Sequence, residues 1–134
     1  MNGVKTKGYK DLVVWKKAYE LVLEVYKITK NYPKEEVYAL TQQMRRCAIS
    51  MPSNIAEGYG RQHNKEYKQF LSMALGSLCE LETQYLLSID LRYVQTDEKI
   101  QGLMKEVGAM LYRMINPIDP YRVSPIRYPL KGVQ

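Results

Sequence analysis

A single histidine, His63, and two cysteines, Cys47 and Cys79, are the whole supply of the side chains most often used for metal ligation or nucleophilic chemistry. Two cysteines are too few for a disulfide framework, and neither sits in a CxxC or His-paired spacing that would hold zinc. Both read as reduced core thiols. A di-metal helical bundle needs Glu-x-x-His pairs on two helices, which one histidine excludes. His63 lies beside Arg61 and Lys65 and reads as a solvated loop residue. No Walker loop, dinucleotide fingerprint, HExxH or EF-hand pattern occurs, so no cofactor and no catalysis are expected. No apolar run reaches the ~20 residues that cross a bilayer. The start, MNGVKTKGYK, lacks the apolar centre of a secretory signal, so a cytoplasmic location without membrane attachment is expected.

What the chain does contain is apolar residues at helical spacing. Its 134 residues, 46% of them hydrophobic, suit one domain able to hold a core. Four segments carry the pattern. In the first, Trp15, Ala18, Val22, Val25 and Thr29 form a stripe flanked by Val14, Leu21 and Ile28, with Asp11 as N-cap and Asn31-Tyr32-Pro33 as the stop. The second runs from about Glu35 through Val37, Leu40, Met44, Cys47, Met51 and Ile55 to Gly58-Tyr59-Gly60. Pro52 inside it removes a hydrogen bond, predicting a kink eased by Ser50 and Ser53. The third is capped by Asn64, carries Tyr67, Leu71, Ala74, Leu78, Leu81 and Tyr85, widened by Phe70, Leu75 and Leu86, and ends near Leu91. The fourth begins after Thr96, with Asp97 and Glu98 in its first turn, carries Ile100, Leu103, Val107, Met110 and Met114, and stops at Pro117. Short connections between long helices predict an all-α, up-and-down antiparallel four-helix bundle. The organisation expected is a basic N-terminal arm (1–10), the bundle (11–118) and an extended tail (119–134) with Pro120, Pro125 and Pro129 among Tyr and Arg residues.

Charge is distributed unevenly. The net value is +6, with residues 1–34 at +5, 35–118 at −1 and 119–134 at +2. The candidate anion-binding surface is therefore the first helix with its arm: Lys10, Lys16, Lys17, Lys27, Lys30 and Lys34, plus Lys5 and Lys7. Glu20 and Glu24 interleave with these lysines, so a merely solvated face is the competing reading.

A turn between the second and third helices centred near His63 places residues level when their numbers total about 126. Cys47 then faces Cys79, but helix axes about 8–10 Å apart hold the pair beyond the reach of a disulfide, and the two are expected to stay unbonded. Arg45 and Arg46 lie opposite Glu80 and Glu82, as an interhelical ion-pair cluster would. Glu57 precedes Arg61 by four residues, the favourable order for a helical pair, and Asn54 joins them at the edge of the apolar face. Gly58 and Gly76 leave room for close backbone approach.

The run Ser50-Met51-Pro52-Ser53-Asn54-Ile55-Ala56-Glu57-Gly58 followed by Arg61 resembles the signature of the four-helix bundle family first known as proteins encoded in intervening sequences of bacterial large-subunit ribosomal RNA. DLVVWKKA (11–18), QMRRCA (43–48) and FLSMALGSLCELE (70–82) match the same pattern, and the resemblance covers roughly residues 9–116. The family also includes the accessory variability proteins of diversity-generating retroelements. The resemblance implies a homopentamer without catalysis and, in the retroelement branch, binding of nucleic acid and a reverse transcriptase. It makes Asn54, Glu57 and Arg61 signature positions of structural type. Five copies of +6 would carry about +30 on one particle, so that a modest patch binds by repetition. Two functions remain open at this point: an oligomeric nucleic-acid-binding accessory protein, for RNA or DNA, or a pentameric protein-interaction scaffold.

Overall fold

The computed structural model describes residues 8–117. The arm up to residue 7 and the Pro-rich tail lie outside the described residues. Four helices follow in order: α1 (Val13–Thr29), α2 (Leu40–Tyr59), α3 (Asn64–Asp90) and α4 (Glu98–Ile115). Short 3-10 turns, Tyr9–Asp11 and Lys34–Glu36, precede α1 and α2. The described residues form no strand.

Each helix packs on two neighbours, α1 on α2 and α4, and α3 on α2 and α4. Side-chain contacts fix the directions. Ser50 meets Ser77 at 2.8 Å, and the Cys47 thiol donates to Glu80 Oε1 at 3.5 Å. Both pairs total 127, so α2 and α3 are antiparallel in nearly the expected register. Lys17 bonded to Glu106, with Glu20 and Glu24 bonded to Lys99, makes α1 and α4 antiparallel as well.

The core is a seam of fully buried residues from every helix. Val14, Ala18, Leu21 and Val25 come from α1; Met44, Ala48, Met51 and Ile55 from α2. Leu71, Ala74, Leu78, Leu81 and Tyr85 come from α3; Ile100, Val107 and Leu111 from α4. Burying one such Leu or Met contributes about 1.5–3 kcal/mol, which places most of the stability here. On α1 the expected stripe is rotated. Trp15 and Val22 are only half-buried, and the flanking positions Val14 and Leu21 hold the centre. The outer members Val37 and Leu86 are exposed.

Several helix ends differ from expectation for local reasons. Asp11 lies in the 3-10 turn, and Leu12 stands at the N-cap of α1 without a side-chain cap. Asn64 is the first helical residue of α3, behind His63 at the cap position. The acids Glu35 and Glu36 do not open α2. Both lie in the 3-10 turn before it, where Glu36 Oε1 accepts from the Leu40 amide at 3.2 Å. Asp97 is the one N-cap with a side-chain hydrogen bond among the described residues, its Oδ1 accepting from Lys99 and Ile100 amides at 2.9 and 3.1 Å. Pro52 is buried within α2, which stays α-helical through it. The Ser50 hydroxyl is engaged by Ser77 and Asn54.

The two glycines singled out behave oppositely. A Cβ at Gly58 would stand 2.7 Å from Phe70 Cβ and 3.0 Å from Tyr67 Cδ1, so α2 and α3 meet closely there. A Cβ at Gly76 would meet nothing within 4 Å, and no close approach depends on it. Gly58→Ala should destabilise by about 1–3 kcal/mol through overpacking. Gly76→Ala should stabilise by up to about 1 kcal/mol through helix propensity. Urea denaturation of the two variants, which have identical side-chain chemistry, checks the opposed signs.

Candidate nucleic-acid interface

The first helix presents two chemically different flanks. Toward α4, charge is cancelled: Lys17 lies 3.2 Å from Glu106, Lys27 lies 3.2 Å from Glu24, and Lys99 lies 3.2 and 3.3 Å from Glu20 and Glu24. The sequence placed Glu20 and Glu24 among the lysines of their own helix. The structure gives Glu24 to Lys27 and Lys99 together, and Glu20 to Lys99 alone. Burial on its own raises the Glu24 carboxyl, but hydrogen bonds from Lys27 and Lys99 outweigh it and hold the group below the ordinary carboxylate range. The Lys99 ammonium is correspondingly raised, first by Glu20 and then by Glu24.

Toward α2 the flank is apolar and then basic. At the end holding the start of α1, Tyr9, Trp15, Tyr19, Val22 and Leu23 face Ile49, Pro52 and Ala56 across a groove of about 370 Å³. Tyr9 and Tyr19 both pack on Trp15, with ring centroids at 5.3 and 5.1 Å. Tyr19 is 50% exposed and Leu23 53%. The groove continues past Ile49 into a second cleft of about 380 Å³ at the other end of the bundle, where the cations Lys30, Lys34, Arg45 and Arg46 and the tyrosines Tyr26 and Tyr32 line it. Among the described residues no carboxylate lines this cleft. The nearby Glu36 is committed to the Leu40 amide and to the Tyr93 hydroxyl, at 2.8 Å from the latter.

Arg45 and Arg46 are therefore not where the sequence put them. Among the described residues no ion pair joins either to Glu80 or Glu82. Arg45 turns to α1 instead, its Nε donating to Thr29 Oγ1 at 2.9 Å and its guanidinium lying 4.4 Å from the Tyr26 ring centre. Cys47 and Ser50 occupy the α3-facing line of α2, and each residue step before Cys47 turns about 100° away from that line. Glu80 accepts from Cys47. Glu82 is half-buried, and burial raises its carboxyl. Both cysteines are free, Cys47 buried and Cys79 only partly so, and burial pushes both thiols up.

The signature residues act within the hairpin. Asn54 Nδ2 donates to the Ser50 carbonyl and hydroxyl at 2.9 and 2.8 Å. Glu57 and Arg61 form the expected i, i+4 pair at 2.7 Å, and Arg61 also lies over the Phe70 ring at 4.8 Å. The second helix signature thus meets the third helix signature at the Gly58 crossing.

A family model described as 23S rRNA-intervening sequence protein matches residues 10–113. The chain belongs to that family. No curated protein matches it. In this intervening-sequence protein none of the described helices is long and apolar enough to cross a membrane, and no group of three or more His, Cys, Asp or Glu that could hold a metal occurs among the described residues.

The structure divides the six lysines proposed from sequence. Lys17 and Lys27 are paired with acids, whereas Lys10, Lys16, Lys30 and Lys34 are exposed and join no ion pair among the described residues. Lys16 and Lys30 stand fourteen residues apart, about 21 Å along the helix, so they do not form one patch. The gathered cluster is Lys30, Lys34, Arg45 and Arg46, and sequence reasoning missed the arginine half of it.

The Glu24 pairs carry a pH signature. Because its carboxyl is depressed in the fold, its contribution is present above the ordinary glutamate range and disappears as pH falls through the lowered value. Glu24→Gln should cost roughly 1 kcal/mol at pH 7, and its difference from wild type should shrink steadily below about pH 4.5. Urea melts of both proteins from pH 7 to pH 3 measure this.

Proposed function

We propose that this protein is a non-catalytic nucleic-acid-binding accessory protein, acting on RNA in the ribosomal setting that its family description names, and working as an assembly of several copies. One observation carries the reading: four cations, Lys30, Lys34, Arg45 and Arg46, converge on one cleft with no carboxylate in its lining among the described residues. A cationic cleft with tyrosine walls suits a phosphate backbone with bases attached. The paired flank toward α4 contributes little, because its lysines are already neutralised locally.

Self-association is supported by the apolar groove that adjoins the cleft. Tyr19, Leu23 and Ile49 are each 43–53% exposed along one line of the surface, the kind of face that a second copy covers. A homopentamer, as the family resemblance implies, would repeat the cationic cleft five times and multiply a weak single-site affinity. The same groove favours the second reading, an assembly that scaffolds another protein and leaves the cations solvated.

Fluorescence anisotropy with a structured RNA and with single-stranded DNA, titrated from 50 to 200 mM salt, decides between the two. Replacing Lys30, Lys34 and Arg46 by Gln should weaken binding severalfold or more and lower the log-log salt slope by about 2, at about 0.7 per lost single-strand phosphate contact. Replacing Lys16, Lys17 and Lys27 should have a smaller effect on both. Wild type that binds neither polymer at 50 mM salt contradicts the nucleic-acid reading and leaves the scaffold.

A further inference from the structure

Within the cationic cleft, one side chain is organised differently from the rest. Lys30, Lys34 and Arg46 are exposed, but Arg45 is half-buried and held from two directions. The Thr29 hydroxyl is itself anchored, donating to the Val25 carbonyl at 2.7 Å, which turns a lone pair toward α2. Arg45 Nε donates to that lone pair at 2.9 Å. The guanidinium plane then rests above Tyr26 at 4.4 Å. This uses one of the five guanidinium donors and leaves the two Nη groups without an acceptor among the described residues.

A partly desolvated guanidinium normally finds a carboxylate, and here none of the described residues lining the cleft carries one. The planar Nη fork matches two oxygens of a phosphate, and because its orientation is already set, little conformational freedom is lost on binding. Around it the cleft offers apolar and aromatic surface: Tyr26 is 38% exposed, Val37 45% and Ile49 43%. Thr41 also lines the cleft; it is 5% exposed, and its hydroxyl has no hydrogen-bond partner. At about 380 Å³ the space is at the small end of ligand sites, of a size for one nucleotide unit.

Resting on the nucleic-acid reading above, we propose that Arg45 is the phosphate receptor of a one-nucleotide site that takes single-stranded nucleic acid. The phosphate sits on the Nη fork with Lys30, Lys34 and Arg46 at the rim. The base of that nucleotide lies on the apolar wall formed by Val37 and Ile49, beside the Tyr26 ring that Arg45 covers. A paired and stacked base cannot enter such a concave site without being extruded, so the site discriminates against duplex. The rim cations serve either polymer, whereas Arg45 serves the unpaired strand.

The test uses the full chain with a labelled 12-nucleotide single-stranded RNA and a duplex of the same length at 50 mM salt. Arg45→Lys retains the charge but removes the fork; it should weaken single-strand binding about tenfold and duplex binding less than twofold. Thr29→Val leaves Arg45 in place and removes its anchor; it should shift single-strand binding in the same direction by a smaller factor. A thermal melt of each variant establishes folding, and the Thr29 variant supplies the answer where the Arg45 variant does not fold. Equal losses on single strand and duplex, or an unchanged single-strand affinity in both variants while wild type binds, would overturn the phosphate-receptor assignment and leave the broader reading standing. Wild type that binds neither probe would sink both.

Discussion

Val14, Ala18, Leu21 and Val25 must all face the core, and that requirement fixes the rotation of α1 about its axis. The remaining surface of the helix then has no choice of direction. Lys17, Glu20, Glu24 and Lys27 fall on the side of α4, where they pair across the interface or with each other. Trp15, Tyr19, Val22 and Tyr26 fall on the side of α2. Thr29, the last residue of the seam, carries a hydroxyl at the point where α2 brings Arg45 alongside. A hydrophobic constraint at the centre of the bundle thus decides which charges are cancelled and which remain available.

The same logic separates the tightly packed hairpin from the proposed binding surface along the chain. The hairpin of α2 and α3 holds the signature residues, and they act as structure. Asn54 ties back to Ser50, Glu57 pairs with Arg61, and Gly58 admits Phe70 and Tyr67 to the backbone. The α1–α2 side is packed less completely, with a groove and a cleft in series. The proposed binding surface lies on that side, because a fully interdigitated interface leaves no concavity for a ligand.

Sequence periodicity was sufficient for the number and order of helices, for the antiparallel register of α2 and α3 to within one residue, and for the Glu57–Arg61 pair. It was insufficient where a choice between adjacent positions decides the outcome. Trp15 and Val22 have the same spacing as Val14 and Leu21, and only the partners brought by α2 and α4 select between the two lines. Arg45 and Arg46 illustrate the cost of that ambiguity: with α3 taken as the neighbour, Glu80 and Glu82 were plausible partners, whereas α1 supplies Thr29 and Tyr26. Capping was misread at Asp11 and Asn64 because a 3-10 turn, in the first case, and one residue of extra helix, in the second, moved the boundary past the capping side chain. The tail with its Tyr, Arg and Pro residues lies outside the described residues.

The central claim is that nucleic acid meets this protein at the cleft between the end of α1 and the start of α2. Photo-crosslinking with 4-thiouridine-substituted single-stranded RNA, followed by peptide mapping, addresses that location directly. The account predicts crosslinks within residues 26–46, led by Tyr26 and the neighbours of Arg45. Crosslinks confined to the opposite end, around Lys10, Lys16 and Lys17, would contradict it.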